Sequence, residues 1–170
     1  MNTVTLLLGG NIGDMQRTLN TAERMILEEL GSLLVASSIY ESEPWGFESK
    51  QWFLNKVMVI CSMQEASEIL LNCQRIEQLL GRTRKNNCIG YESRIIDIDI
   101  LFFNNEIIKL PHLIIPHPKL HLRKFTLMPL QEIMPEFIHP VIGENIEILL
   151  KECNDISLCR RMITKTNLHR

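Results

Sequence analysis

The sequence predicts an α+β fold: a ferredoxin-like α-β-α sandwich with a mainly antiparallel sheet and additional C-terminal helices. Three observations lead there. Apolar segments alternate in type along the chain as β-α-β-β-α-β, the order of a split βαβ unit. Two long stretches keep apolar residues three or four apart and stop at glycine, as amphipathic helices do. The chain has 170 residues, 45% of them apolar and 22% charged, which suits one globular domain with a real core. Residues 1–170 are therefore read as a single domain, with 154–170 set apart as a weakly periodic, basic stretch, either a helix or a loose tail.

Thr3 to Leu8 is a β-type run that ends in Gly9-Gly10-Asn11. A helix follows from Asp14 to Leu30, its stripe formed by Met15, Leu19, Ala22, Ile26 and Leu30; Asp14 suits the cap and Gly31 the stop. Leu33 to Tyr40 reads as one strand, and Glu41 to Lys50, with Pro44 and Gly46, as a loop. Phe53 to Cys61 is the next strand. Glu65 to Leu80 is a helix closed by Gly81. Arg82 to Ser93 is polar and rich in positive charge, a long mobile loop in this reading. Ile95 to Phe103 is a strand, Asn104-Asn105 a turn, and Glu106 to Ile108 a short strand. Beyond Pro111, prolines interrupt the pattern; helices are expected near Leu120 and over Asn145 to Glu152.

The net charge is −2, so the chain has no global electrostatic case for binding nucleic acid or an anionic membrane. Any anion must be held by local basic clusters. No apolar run approaches the length of a membrane span, and Val4 to Leu8 is too short, and lacks the basic flank, for a signal peptide. The expected location is the cytoplasm. Cys61, Cys73, Cys88, Cys153 and Cys159 are odd in number and form no C-x-x-C pair, so they are read as reduced thiols.

The most informative segment is Arg94-Ile-Ile-Asp97-Ile-Asp99-Ile-Leu-Phe. Strand alternation puts Ile96, Ile98, Ile100 and Phe102 on one apolar face. Asp97 and Asp99 share the other, about 7 Å apart. Like charges on one strand face repel, so something cationic is expected beside them. Mg²⁺ fits, because it favours a few carboxylates together with substrate phosphates; a solvated edge strand, or ion pairs with nearby arginines, fits as well. Arg82, Arg84, Lys85 and Arg94 bracket the preceding loop, and arginine forks suit phosphate. His117, between Pro116 and Pro118, sits on stiff backbone near Arg123 and Phe125. Trp45, Trp52 and Phe53 could stack on a flat heterocycle whose edge Asn55 would read. Neither a P-loop nor G-x-G-x-x-G occurs.

Together these segments resemble the 6-hydroxymethyl-7,8-dihydropterin pyrophosphokinases of folate biosynthesis. The resemblance runs in order from Thr3 to Pro140 through Leu8-Gly-Gly-Asn-Ile-Gly-Asp14, Ser38-Ile-Tyr-Glu-Ser-Glu-Pro-Trp-Gly46, Phe53-Leu-Asn55, Gln74-Arg-Ile-Glu77, Gly81-Arg82, Arg94 to Leu101, and Ile115-Pro-His-Pro118 followed by Arg123-Lys-Phe125. It implies transfer of pyrophosphate from ATP to the pterin hydroxymethyl group, with release of AMP. It implies two Mg²⁺ on Asp97 and Asp99, and Arg82 and Arg94 as catalytic contacts to the phosphates. By the same resemblance Gln74, Glu77, Arg84, His117 and Arg123 bind ATP, and Ser42, Trp45, Phe53, Asn55 and Phe125 bind the pterin. Departures are Gly10 where Ser is frequent, Phe53 where Tyr is common, and Tyr91 where Trp is frequent. Neither nucleic acid, membrane nor an obligate protein partner is expected.

Two other readings use the same residues. An Asp-x-Asp pair beside arginines also suits a metal-dependent nucleotidyl or glycosyl transferase. A non-enzymatic ferredoxin-like RNA-binding module would need a basic, aromatic sheet face, which the acid pair opposes.

Overall fold

The structure, a computed structural model, describes residues 1–82 and 93–163. In chain order its elements are β1 (Asn2–Gly10), α1 (Met15–Glu29), β2 (Ser32–Ala36), β3 (Tyr40–Ser42), β4 (Phe53–Ser62), α2 (Ala66–Leu79), β5 (Asp97–Phe103), β6 (Ile108–Leu110), β7 (Leu113–Ile115), α3 (Lys124–Ile133), α4 (Ile146–Glu152) and β8 (Cys159–Arg161). The main sheet runs β5-β1-β4-β3-β8, with β2 also paired to β4, and its strand pairs are antiparallel. β6 and β7 form a separate hairpin. The predicted sandwich is the one observed.

Local chemistry starts and stops the helices. The Asp14 carboxylate accepts the Arg17 N–H at 3.1 Å at the start of α1. Gly31 ends that helix, and only glycine serves there: a Cβ would stand 2.0 Å from Cys61 O. At the start of α2 the Glu68 carboxylate accepts the Glu65 N–H at 2.9 Å.

The sheet has two apolar faces. On one, Val4, Leu6, Leu8, Met58, Ile60, Ile98 and Ile100 pack against the stripes of α1 and α2. On the other, Leu7, Val57, Leu101 and Phe102 pack against Leu127, Leu130, Ile146 and Leu149 of α3 and α4. Each fully buried aliphatic side chain is worth about 1.5–3 kcal/mol. The second core fills only part of its face, and the remainder is the floor of a pocket.

Several expectations need correction. Phe102 does not share a face with Ile98 and Ile100. The register against β1 slips between Thr5 and Leu6, which pair with Phe102 and Ile100, so Leu101 is an inserted residue and the alternation changes phase there. The expected strand Leu33 to Tyr40 is two strands. At Ser37 the side chain itself accepts the Val57 N–H at 3.0 Å, and such local side-chain bonding competes with a regular ladder. The short strand expected at Glu106 to Ile108 lies instead at Ile108–Leu110, paired with Leu113–Ile115. The helix expected near Leu120 is a 3-10 turn, Leu120–Leu122, followed by α3. Within 154–170, read as a helix or a loose tail, Cys159–Arg161 joins the main sheet as β8, and Met162 N–H continues the pairing to Ile39 O at 2.8 Å.

Candidate active site

A pocket of about 240 Å³ opens where the sheet face beneath α3 is left uncovered. Its floor follows from the register. Asp99 of β5 lies opposite Leu7 of β1, and Asp97 opposite Gly9; Gly9 in turn lies opposite Asn55 of β4, and Ser42 of β3 opposite Phe53. These residues share one face, because paired positions in a ladder point the same way. Glu43, Trp45 and Phe47, after β3, form one wall, and His117, Arg123 and Phe125 another.

The acid end is dense with charge. Both carboxylate oxygens of Asp97 are engaged, Oδ1 by Arg82 and Oδ2 by Arg94. Arg82 reaches Asp97 from the end of α2, and its guanidinium also pairs with Glu77 Oε1 at 2.7 Å. The same Glu77 oxygen accepts the backbone N–H of Ile98 at 2.8 Å, fixing α2 to β5. Burial, and then the negative charge of Asp97, push the Glu77 carboxyl up to about 7. Asp99 is likewise raised to about 7, chiefly by burial and then by Asp97, against the pull of Arg123, Arg94 and Arg82. His117 is lowered to about 4 by burial and the nearby Arg123 charge, which leaves a neutral ring at physiological pH.

Arg94 is held by its backbone as well as its side chain. Asn11 donates its N–H to Arg94 O at 2.9 Å, and its Oδ1 accepts the Arg94 N–H at 2.9 Å. Its Nδ2 donates to Ser93 Oγ at 3.1 Å. The preceding Gly10 lets this segment lie close: a Cβ there would stand 2.5 Å from Ile95 O.

The other end of the pocket is aromatic and amide in character. Asn55 is buried, and its Nδ2 donates to Ser42 Oγ at 2.9 Å. Its Oδ1 lies over Gly9, where a Cβ would come within 2.6 Å. Phe47 packs edge-on against Phe53, with ring centroids 5.9 Å apart. The Arg123 guanidinium lies over Trp45 at 4.9 Å and over Phe125 at 5.6 Å, joining the two walls.

A hard divalent cation fits the acid end. Its donors would be the carboxylate oxygens of Asp97 and Asp99, the class that Mg²⁺ prefers, which line the pocket two residues apart on one strand face.

Of the residues singled out in the sequence, ten line this pocket: Ser42, Trp45, Phe53 and Asn55 from β3, β4 and their loop, Arg94, Asp97 and Asp99 from β5 and its approach, and His117, Arg123 and Phe125 from the opposite wall. Arg82 and Glu77 stand directly behind Asp97, and Gln74 lies one turn before Glu77 on α2. Arg84 lies outside the described residues. Leu7, Glu43 and Phe47 were not foreseen. Leu7 looks like ordinary core, and a loop phenylalanine has no periodicity to reveal which way it turns.

Residues 5–135 match the family model described as 7,8-dihydro-6-hydroxymethylpterin-pyrophosphokinase. The chain is 43% identical over 141 residues to the 2-amino-4-hydroxy-6-hydroxymethyldihydropteridine pyrophosphokinase of Porphyromonas gingivalis, covering 82% of this chain and 95% of that protein. It is 39% identical over 142 residues to the enzyme of the same name from Aquifex aeolicus, covering 83% and 86%. Among solved structures, an HPPK-DHPS protein in complex with substrates superposes with a TM-score of 0.72 at 18% identity, and a Plasmodium falciparum HPPK-DHPS triple mutant with 0.73 at 19%. In both cases 88% of this chain is covered and 43% of the larger one, a likeness of fold. Sequence and architecture agree: the chain belongs to the 7,8-dihydro-6-hydroxymethylpterin-pyrophosphokinase family.

Proposed function

We propose that this chain transfers pyrophosphate from ATP to the hydroxymethyl group of 6-hydroxymethyl-7,8-dihydropterin, releasing AMP. The observation that carries the reading is the convergence, in one pocket, of an acid pair with two arginines at one end and an aromatic slot with a buried amide at the other. The first end suits a polyphosphate and the second a flat heterocycle.

In this reading the pterin stacks between Phe53 and Phe125, Asn55 reads its edge with Ser42 behind, and Trp45 closes the slot. Arg82, Arg94, His117 and Arg123 receive the triphosphate, with Gln74 and Arg84 on the ATP side. Glu77 acts through Arg82, because its oxygen is committed to that guanidinium and to the Ile98 N–H. Asp97 and Asp99 would hold two Mg²⁺, which when bound neutralise phosphate charge and orient its oxygens. The alcohol oxygen attacks the β-phosphorus in line, giving its proton to the Asp97 carboxylate, and the bond to the oxygen bridging the α-phosphorus breaks as AMP leaves. Asn11 holds the Arg94 backbone in place, and the Arg82 and Arg94 guanidiniums, paired with Asp97 here, would turn from that carboxylate to the charge that develops on the phosphates.

The test is incubation with ATP, Mg²⁺ and the hydroxymethyl dihydropterin, followed by chromatography. AMP and diphosphorylated pterin in equal amounts are expected. Free pyrophosphate or a nucleoside diphosphate in place of AMP overturns the reading and favours a nucleotidyl or glycosyl transferase.

A further inference from the structure

The chain from Asp155 to Arg161 lies beyond the stretch that matches the family, yet it touches both walls of the pocket. Asp155 Oδ2 accepts the backbone N–H of Lys124 at 2.9 Å. Lys124 is the first residue of α3, and the cap residue before it, Arg123, provides no side-chain acceptor for the helix. A helix start leaves its first N–H groups without internal partners and favours a negative charge nearby. Asp155 supplies both from a distant part of the chain. Its other oxygen, Oδ1, accepts the Ser157 N–H at 3.0 Å and the Ser157 hydroxyl at 2.6 Å, which fixes the carboxylate in a tight turn.

One residue further on, the same turn grips the opposite wall. Leu158 N–H donates to Glu43 Oε2 at 2.7 Å, and Glu43 N–H donates back to Leu158 O at 3.0 Å. The strand then anchors in β8: Arg160 pairs with Glu41 at 2.5 Å and stacks over Trp52 at 5.3 Å. Four residues, Asp155 to Leu158, thus tie the start of α3 to the start of the β3–β4 loop. The first carries Arg123 and Phe125, the second Trp45 and Phe47, and the two meet around the Arg123 guanidinium. α3 is seated on the sheet through Leu127 and Leu130 and through Glu132, which accepts from Ser38 at 2.8 Å and 3.1 Å, but these contacts lie further along the helix; at its first turn the strap adds a direct tie to the other wall.

We propose that Asp155 is a positioning residue for the aromatic slot: by capping α3 while Leu158 holds Glu43, it fixes Phe125, which faces Phe53 across the ring, and Trp45, which closes the slot, relative to one another. The proposal rests on reading that slot as the pterin site. The acid end rests on β5 and α2, which this strap does not touch; its one link to ATP is Arg123, the residue before Lys124, so the larger effect falls on the pterin and a smaller one on ATP.

The test compares wild type, Asp155→Ala and Asp155→Asn. The alanine variant is expected to raise the KM for the pterin about fivefold to tenfold, the equivalent of one lost helix cap, with the KM for ATP within about twofold. The asparagine variant keeps an acceptor for Lys124 N–H and should restore most of the loss. Amide hydrogen exchange, followed without substrate, should speed up at residues 43–47 and 124–127 in the alanine variant alone. Faster exchange with an unchanged pterin KM overturns the proposal, as does an equal rise in both KM values. Absence of AMP production by the wild type strikes the functional reading instead, and the exchange result then still decides whether the strap exists. If Asp155→Ala does not accumulate folded, Glu43→Ala breaks the other end of the strap; a raised pterin KM together with faster exchange at 124–127 supports the proposal, and an unchanged KM or unchanged exchange there overturns it.

Discussion

His117 Nε2 stands 4.0 Å from Asp99 Oδ2, while its Nδ1 accepts the Lys119 N–H at 3.2 Å. The acceptor nitrogen is thereby turned to the backbone, and the proton of the neutral ring sits on Nε2, facing the pocket. The ring offers a donor without adding a charge to a region already crowded with arginine.

From this follows a binding prediction. His117→Ala should weaken a non-hydrolysable ATP analogue about tenfold or more, as loss of a hydrogen bond to a charged group does. His117→Gln should recover part of it. Because the imidazole stays neutral down to about pH 4, its contribution should be flat between pH 7 and 5. Titration calorimetry checks both points; a wild-type affinity in the alanine variant removes His117 from the phosphate contacts.

The acid pair sets function against stability. Asp99→Asn should abolish turnover and, without magnesium, make the folded chain more stable at pH 8. The sign follows from the raised carboxyl. The folded state holds its proton more tightly than the unfolded state, so ionising it costs stability as pH climbs from about 4 to 7. At about 1.4 kcal/mol per pH unit the gain should be a few kcal/mol at pH 8 and vanish near pH 4. Denaturant titrations of both proteins at the two pH values decide it, and equal stability at pH 8 contradicts the account.

Arg94 is fixed before any substrate arrives, by Asp97 and by Asn11. Arg94→Ala should therefore lower kcat on the order of a hundredfold, as loss of a transition-state donor does, and raise the KM for ATP far less. Asn11→Ala should follow in the same direction with a smaller loss. Steady-state kinetics with each substrate varied would reveal a purely ATP-affinity effect, which would count against work in the transition state.

Gly9 makes the sharpest steric prediction. Gly9→Ala places a methyl group against Asn55 Oδ1 and so disturbs the amide bonded to Ser42. Pterin affinity should fall about tenfold, the order of one or two displaced hydrogen bonds, with the ATP analogue bound normally. Fluorescence titration with the pterin suffices, and unchanged affinity would mean that Asn55 does not read the ring.

What was legible in the sequence follows a physical line. The stripes of α1 and α2 announced themselves because a buried helix face enforces its period, and Asp14 and Gly31 marked its ends. Asp97 and Asp99 stood out because carboxylates are costly on an otherwise apolar strand. Positions set by pairing between distant segments could not be read locally. The slip beside Leu6 moved Phe102, and the side chain of Ser37 split one expected strand into two. Phe47 and Glu43 entered the pocket through a loop without periodicity. Asp155 was opaque for the same reason: its partner, the Lys124 N–H, is a backbone group 31 residues away.

The extra residue at Leu101 lets a single ribbon serve two interiors. Before it, the chain sends acids toward the pocket and isoleucines toward α1 and α2; after it, Phe102 plugs the base of the α3–α4 side. Removing that residue would leave a more regular ribbon and a poorer protein. Either the aromatic plug or the carboxylates would swing to the wrong side, so this small irregularity joins the reactive end of the molecule to its ballast.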